Sequence, residues 1–426
     1  MGSFMSAERL RFVFNRFRER LWVKPLGVAL LSIAAVFLAS LADDTSLARL
    51  FPRTAVDSLE TLLSIMASSM LVIATFSVGS MVAAYNAASS SATPRSFGVV
   101  VADDVSQNAL STFIGAFIFS IVAITAVKNN GFEAAGLFVL FALTGLVFAL
   151  VIFTFVRWVD RIARLGRMGP TIDKVEAAAA DALQRRQRAP TLGGVPAEGA
   201  PVGQAVFAPS VGYVQQIDML RLQAWAEQAG RRVRVVALPG AFLFPGRALA
   251  YVPGPAEGVD HDEVAAAFDI GDERLFDDDP RFGLVVLSEI AGRALSPGVN
   301  DPGTAIDVIG TLVRLFVQWR APCPADEPAR PIHDRVAVPE LDIADMFDDA
   351  FTAIGRDGAD TVEVVLRLLK ALHALADTGD VAMAAAARWH ARRALACAES
   401  RLPVAVDLAR VREAGAFAGS VIAATD

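Results

Sequence analysis

The stretch Ser64–Asn86 reads SIMASSMLVIATFSVGSMVAAYN. It carries no charge and is long enough to cross a bilayer, whose hydrocarbon core takes about 20 apolar residues in a helix. Hydroxyls nevertheless recur along it. A helix advances about 100° per residue, so Asp57, Thr61, Ser64, Ser68, Leu71, Thr75, Gly79, Val82 and Asn86 share one side. Seven of these nine are polar or glycine, whereas the opposite side carries Leu59, Leu63, Met66, Met70, Ile73 and Met81. Ser69, Ser77 and Ser80 fall outside the band and are expected to bond to the preceding turn or to a neighbouring helix.

Two arrangements satisfy such a band. Small and hydroxylated residues let membrane helices approach closely and bond across the contact. Alternatively, the band faces water around a pore made by several copies of the chain, where its polar groups are solvated. Asp57 and Asn86 at the two ends favour the pore. Asp57 then forms an acidic ring at the outer mouth with Asp43, Asp44 and Glu60 nearby, and Leu71 and Val82 form apolar constrictions. Four helices alone close into a bundle filled by side chains, so a pore requires a cyclic homo-oligomer. Acidic mouths favour monovalent cations.

The rest of the chain supports a membrane assignment. Of 426 residues, 54% are hydrophobic and 20% charged, with positive mean hydropathy. That is too apolar for an ordinary soluble protein and too charged for one wholly in lipid. Residues 1–170 carry a net +4 and the remainder a net −11. Apolar runs at Leu26–Ala42, Val56–Ala84, Ala109–Val127 and Ala134–Val156 predict four spans. The last two are joined only by KNNGFE (Lys128–Glu133), a tight hairpin. Basic residues gather before the first span (Arg9, Arg11, Arg16, Arg18, Arg20, Lys24) and after the fourth (Arg157, Arg161, Arg164, Arg167). The positive-inside rule therefore places both termini in the cytoplasm. Ala7–Trp22 reads as an amphipathic helix lying in the inner interface or on the protein's own soluble region, and no cleavable signal peptide is expected. Cys323 and Cys397 form no metal or disulfide pattern, so reduced thiols are expected.

The predicted fold is four transmembrane α-helices followed by a cytoplasmic α+β region. Its parts are an interfacial helix (1–25), the transmembrane domain (26–158), a connecting helix and linker (159–202), a small β-rich module (203–256) and a helical subdomain (257–426). Strand-like runs at Gln204–Phe207, Arg232–Leu238 and Ala248–Val252 flank a helix near Gln215–Ala229. The glycine-rich turns suggest a lipoyl-type carrier barrel, but no lysine lies between Lys174 and Lys370 to carry the group. Beyond a proline-rich loop (Ala321–Pro339), helices are expected near Glu340–Ile354, Ala359–Ala376, Val381–Glu399 and Val404–Glu413.

The run RALSPGVNDPGTA (Arg293–Ala305) has a local explanation. Gly298 supplies a chain reversal, Asp301 caps the next helix and Pro302 occupies its first position. A second use is an anion or small-ligand site at that helix start, formed by Arg293, Ser296, Gly298, Asn300 and Asp301 with help from Arg274. A divalent site made by Asp277, Asp278, Asp279 and Asp301 is the weaker alternative. The run PRFGLVVLSEIAGRALSPGVNDPGTA, with VGYVQQID before it and ASSSATPRSF after the second span, resembles a bacterial family of predicted inner-membrane proteins, domain of unknown function 2254. The resemblance covers nearly the whole chain and implies four spans with a cytoplasmic C-terminal region. It transfers no activity and no catalytic residue. One departure is Leu275, where the family pattern leads one to expect threonine.

An enzyme is the least supported class. His261, His333, His373 and His390 are dispersed, and neither a phosphate-binding loop nor a nucleophile elbow is present. No catalytic residue, metal or cofactor is expected, and an acidic tail disfavours nucleic acid. The expectation is an oligomeric, cation-conducting channel lined by the second span, with the cytoplasmic region as assembly or gating module. The alternative is a non-conducting scaffold or sensor whose cytoplasmic region binds a partner or small ligand.

Overall fold

A computed structural model describes residues 22–44, 56–91, 93–96, 104–129, 131–162, 168–255, 259–321 and 331–419. The interfacial helix expected over Ala7–Trp22 lies almost wholly outside these residues. The chain forms two compact units.

The first unit is built by α1 (Val23–Ser40), α2 (Val56–Ser91), α3 (Asp104–Lys128) and α4 (Ala134–Ile162). All four are long and apolar enough to cross a membrane. Helix α3 is the central one: half of its span is buried, against a third or less for the others. Leu59, Leu63, Met66, Met70 and Met81 of α2 are buried together with Phe113, Ala116 and Phe119 of α3. Gly115 allows α1 to approach α3, because a Cβ there would stand 2.4 Å from Val28 Cγ1. Near the end of α4, Trp158 packs edge-on against Phe76 and Phe113 at 6.1 and 6.0 Å between ring centres. The start of α4 is capped from a distant segment. Asp43 accepts bonds from the Glu133 and Gly136 amides at 2.8 and 2.6 Å, serving donors that a helix start leaves unpaired.

The second unit comprises residues 171 onward together with Ser91–Ser96. It opens with α5 (Met168–Arg188). Two sheets follow, formed by β1 (Gly194–Pro196), β2 (Gln204–Phe207), β3 (Gly212–Ile217), β4 (Val233–Val235), β5 (Phe242–Leu243), β6 (Ala248–Val252), β7 (Phe268–Gly271) and β8 (His333–Val338). One sheet has the order β1-β8-β4-β6-β2, with β8 parallel to β1 and β4 and the other pairs antiparallel. The other is antiparallel, in the order β5-β3-β7. Helices α6 (Met219–Gln228) and α7 (His261–Ala265) accompany them, and Leu222 joins Val206, Val233, Leu249 and Val336 in their core.

The helical part contains α8 (Pro280–Ala294), α9 (Pro302–Arg320), α10 (Ile343–Asp357), α11 (Val362–Ala376), α12 (Val381–Arg401) and α13 (Ala405–Gly415). Phe316 of α9 packs against Phe347 and Phe351 of α10 at 4.4 and 5.6 Å. Asp218, Asp260, Asp279, Asp301, Asp342 and Asp380 cap helix starts with their side chains. Part of the acidic surplus therefore serves helix capping.

The β-rich module is wider than 203–256. Strand β1 falls in the expected linker, β7 in the expected helical subdomain and β8 in the expected proline-rich loop. Gln215–Ile217, expected in a helix, belongs to β3, and the helix starts at Met219 behind its Asp218 cap. Strand β8 joins the sheet through parallel pairing with chain far away in sequence, which leaves little local pattern.

Candidate functional site

Helix α2 has three longitudinal faces. Its core face packs inside the unit, as expected from its leucines and methionines. Asp57, Thr61, Ser64, Ser68, Leu71, Thr75, Gly79, Val82 and Asn86 are all exposed. An apolar strip adjoins this band, with Ile65, Val72 and Phe76 at 56, 68 and 66% exposure. No atom of the described residues would lie within 4 Å of a Cβ placed on Gly79. Among the described residues, the polar band is therefore not wedged between helices of the same chain.

Its hydroxyls are partly satisfied by α2 itself. Thr61, Ser68 and Thr75 donate to the carbonyls of Asp57, Ser64 and Leu71 at 2.7, 2.9 and 2.9 Å. This is the bond back to the preceding turn available to serine and threonine in membrane helices. Ser77 differs. It is fully buried, and its hydroxyl has no hydrogen-bond partner among the described residues, contrary to the expected bond.

The acids expected around an outer mouth do not all stand free. Asp57 is exposed in the first turn of α2. Asp43 is half-buried and committed to the start of α4. The cap was missed because donor and acceptor are 90 residues apart.

The residues grouped around Arg293–Ala305 separate into two places. Ser296, Gly298, Asn300 and Asp301 lie in the turn between α8 and α9 with Arg293 just before it. The Ser296 hydroxyl donates to the Arg293 carbonyl, and the Asp301 amide to the Ala294 carbonyl. Asn300 takes a left-handed conformation, φ 49°, which a short amide side chain tolerates. Asp301 accepts from the Thr304 amide and hydroxyl at 3.1 and 2.6 Å. Those bonds, the hydroxyl's foremost, hold its carboxyl below the ordinary carboxylate range. An anionic ligand at this helix start would meet a carboxylate already there.

Arg274 belongs at the opposite end of α8, about 20 Å away along a 15-residue helix. It grips Asp279 through two bonds of 2.7 and 3.1 Å. Asp279 is 2% exposed, also accepts from the Arg281 and Phe282 amides, and sits against Gly240, whose Cβ would collide with its carboxylate. Burial pushes the Asp279 carboxyl up, and the Arg274 bond opposes this. Nearby, burial draws the Arg186 guanidinium down to about 10, against the pull of Asp278 and Asp279. Asp279 and Asp301 therefore serve different helix starts and do not converge on one ion.

The sequence profile described as a predicted membrane protein, DUF2254, matches residues 18–374. Among curated proteins, the uncharacterized proteins Rv1290c of Mycobacterium tuberculosis and Mb1321c of Mycobacterium bovis are 35% identical over 121 residues, 27% of this chain. The match spans only 22% of the length of those relatives. No solved structure matches.

Proposed function

We propose that this chain, which belongs to the DUF2254 family of predicted membrane proteins, is the subunit of an oligomeric cation channel lined by α2. The observation that carries this is the exposure of the whole polar band while the opposite face of the same helix is core. Polar groups and a carboxylate at a membrane helix surface are costly against lipid and are favoured where they meet water or another protein. A cyclic homo-oligomer with α2 innermost gives every member of the band such a neighbour. Asp57 would attract monovalent cations at one mouth, and Leu71 and Val82 would narrow the passage. The basic clusters favour a cytoplasmic side for both termini and the α+β region; in a bacterial inner membrane that region would serve assembly or gating. No catalytic role is assigned to any residue.

A second arrangement is favoured by the hydroxyl bonds from Thr61, Ser68 and Thr75 back to their own helix. Hydroxyls satisfied in this way need no water and suit dry packing against a second membrane helix. The protein would then be a non-conducting scaffold or sensor.

Aqueous thiol labelling separates the two. In a background with Cys323 and Cys397 replaced by serine, cysteines at Ser64, Ser68 and Thr75 should react in intact membranes if α2 lines water. Uniform protection rejects the pore. Reconstituted flux should lose cation preference with Asp57→Asn, and unchanged preference removes Asp57 from the selectivity assignment.

A further inference from the structure

The β3–β5 edge of the three-stranded sheet is apolar on its outward face, where an antiparallel sheet covered on one side ordinarily carries polar residues, as β7 does with Asp269. The β3–β5 register sets Tyr213 opposite Phe242 and Gly212 opposite Leu243. Side chains alternate along a strand, so Val211, Tyr213, Phe242 and Phe244 project to one side while Leu243 and Val214 project to the other. Leu243 and Val214 are core, at 0 and 1% exposure. The outward group is open, with Val211 at 57%, Phe242 at 45% and Phe244 at 48%, and the Tyr213 ring lies 5.2 Å from that of Phe242. Phe207, 52% exposed, extends the patch beside Arg247, whose carbonyl accepts from the Ala208 amide.

The patch also differs from its surroundings in charge. Residues 203–217 and 240–254 contain a single charged side chain, Arg247, although the chain beyond residue 170 carries a net −11. Arg247 is exposed, and its guanidinium has no hydrogen-bond or ion-pair partner among the described residues.

We infer that this aromatic face beds into the headgroup region of the bilayer that holds the protein, with Arg247 on an anionic lipid phosphate. Phenylalanine and tyrosine tips with a flanking arginine suit the membrane interface. An acidic body is repelled by an anionic leaflet everywhere except at such a face. A second copy is the poorer occupant, because residues 203–217 and 240–254 of its own β3–β5 edge would offer Arg247 no acid. The tether to the membrane keeps the bilayer at high effective concentration, so a small patch suffices. None of this depends on whether α2 conducts.

The test uses the full chain with both cysteines replaced by serine and a nitroxide placed through Phe244→Cys, repeated with Val211→Cys. The protein is reconstituted in phosphatidylcholine vesicles with or without phosphatidylglycerol. Membrane-dissolved oxygen should relax both labels more than a water-soluble nickel chelate does, while a control label through Val381→Cys shows the reverse. Omitting phosphatidylglycerol or adding Arg247→Glu should shift the balance toward nickel. Nickel-dominated relaxation in both lipid mixtures overturns the inference, as does protection from both reagents with dipolar broadening between labels, the signature of a second copy. Indifference to Arg247→Glu removes the phosphate contact.

Discussion

The Thr93 hydroxyl donates to Glu289 Oε2 at 2.9 Å, and Arg95 pairs with the other oxygen of that carboxylate. Thr93 is 6% exposed, and its carbonyl accepts the hydroxyl of the buried Ser96. The turn that follows α2 is thereby fastened to the middle of α8. Glu289→Ala leaves the Thr93 hydroxyl buried without its acceptor, a loss of about 1–2 kcal/mol of stability. Arg95 is more than half exposed, so Arg95→Ala should cost little. A denaturation cycle with Thr93→Val and Glu289→Ala should return a coupling on the order of 1 kcal/mol. Strict additivity would mean that the two side chains do not meet.

The Asp43 cap gives a test in the membrane unit. Asp43→Ala removes an acceptor shared by two amides at the start of α4 and should cost about 1 kcal/mol, read as a lower midpoint in detergent melting. Gly136→Ala acts on the same joint from the other side. Its Cβ would stand 2.3 Å from Asp43 Oδ2 and 2.9 Å from the Phe132 ring, so it should destabilise at least as much as Asp43→Ala. A neutral Gly136→Ala would refute the close approach.

These two joints mark the boundary of what the amino-acid order discloses. Helices α1 to α4 are legible because twenty-odd apolar residues in a row admit few other structures. The polar band of α2 is legible because every member lies on the same short chain segment and obeys one period. Asp301 and Pro302 announce α9 through the chemistry of a helix start. Strand β3 is hidden inside VGYVQQI because Gln215 and Gln216 are buried along with Val214 and Ile217, so no alternation of polar and apolar residues survives. Strand β8 and the contacts of Asp43 and Glu289 join segments far apart in sequence, and no local period encodes such partners. Arg274 illustrates the same limit. It lies near enough in sequence to suggest membership of the Arg293–Asp301 turn, but the intervening helix carries the turn away from it.

Helices α5 and α8 make a tighter approach than their composition suggests. A Cβ on Gly283 would lie 2.3 Å from the Ala179 Cβ and 3.0 Å from its Cα. Gly283→Ala must push the two helices apart, and overpacking of this kind costs roughly 1–3 kcal/mol. The gain in helix propensity from replacing glycine, about 1 kcal/mol at most, does not offset the upper part of that range. The expected outcome is a lower unfolding midpoint. Increased stability would show that the helices can separate freely.

His390 supplies a pH signature. It is 4% exposed, lies among Phe347, Phe351 and Trp389, and has Nε2 3.3 Å from Asp348 Oδ1. Burial lowers its pKa from 6.5 to about 4; Asp348 opposes the shift and Arg393 adds to it. The unfolded chain therefore binds a proton that the fold refuses between about pH 6.5 and 4. Stability from this group is complete above that window and declines as pH falls through it. A shift of this size corresponds to roughly 3 kcal/mol across the window. His390→Phe removes the titration while keeping an aromatic ring beside Phe347 and Phe351. Guanidinium unfolding of the full chain in detergent, followed by circular dichroism, should show a steeper loss toward acid in the native protein than in the variant. Parallel curves for the two proteins would mean that His390 is already protonated in the fold at neutral pH or titrates freely with solvent.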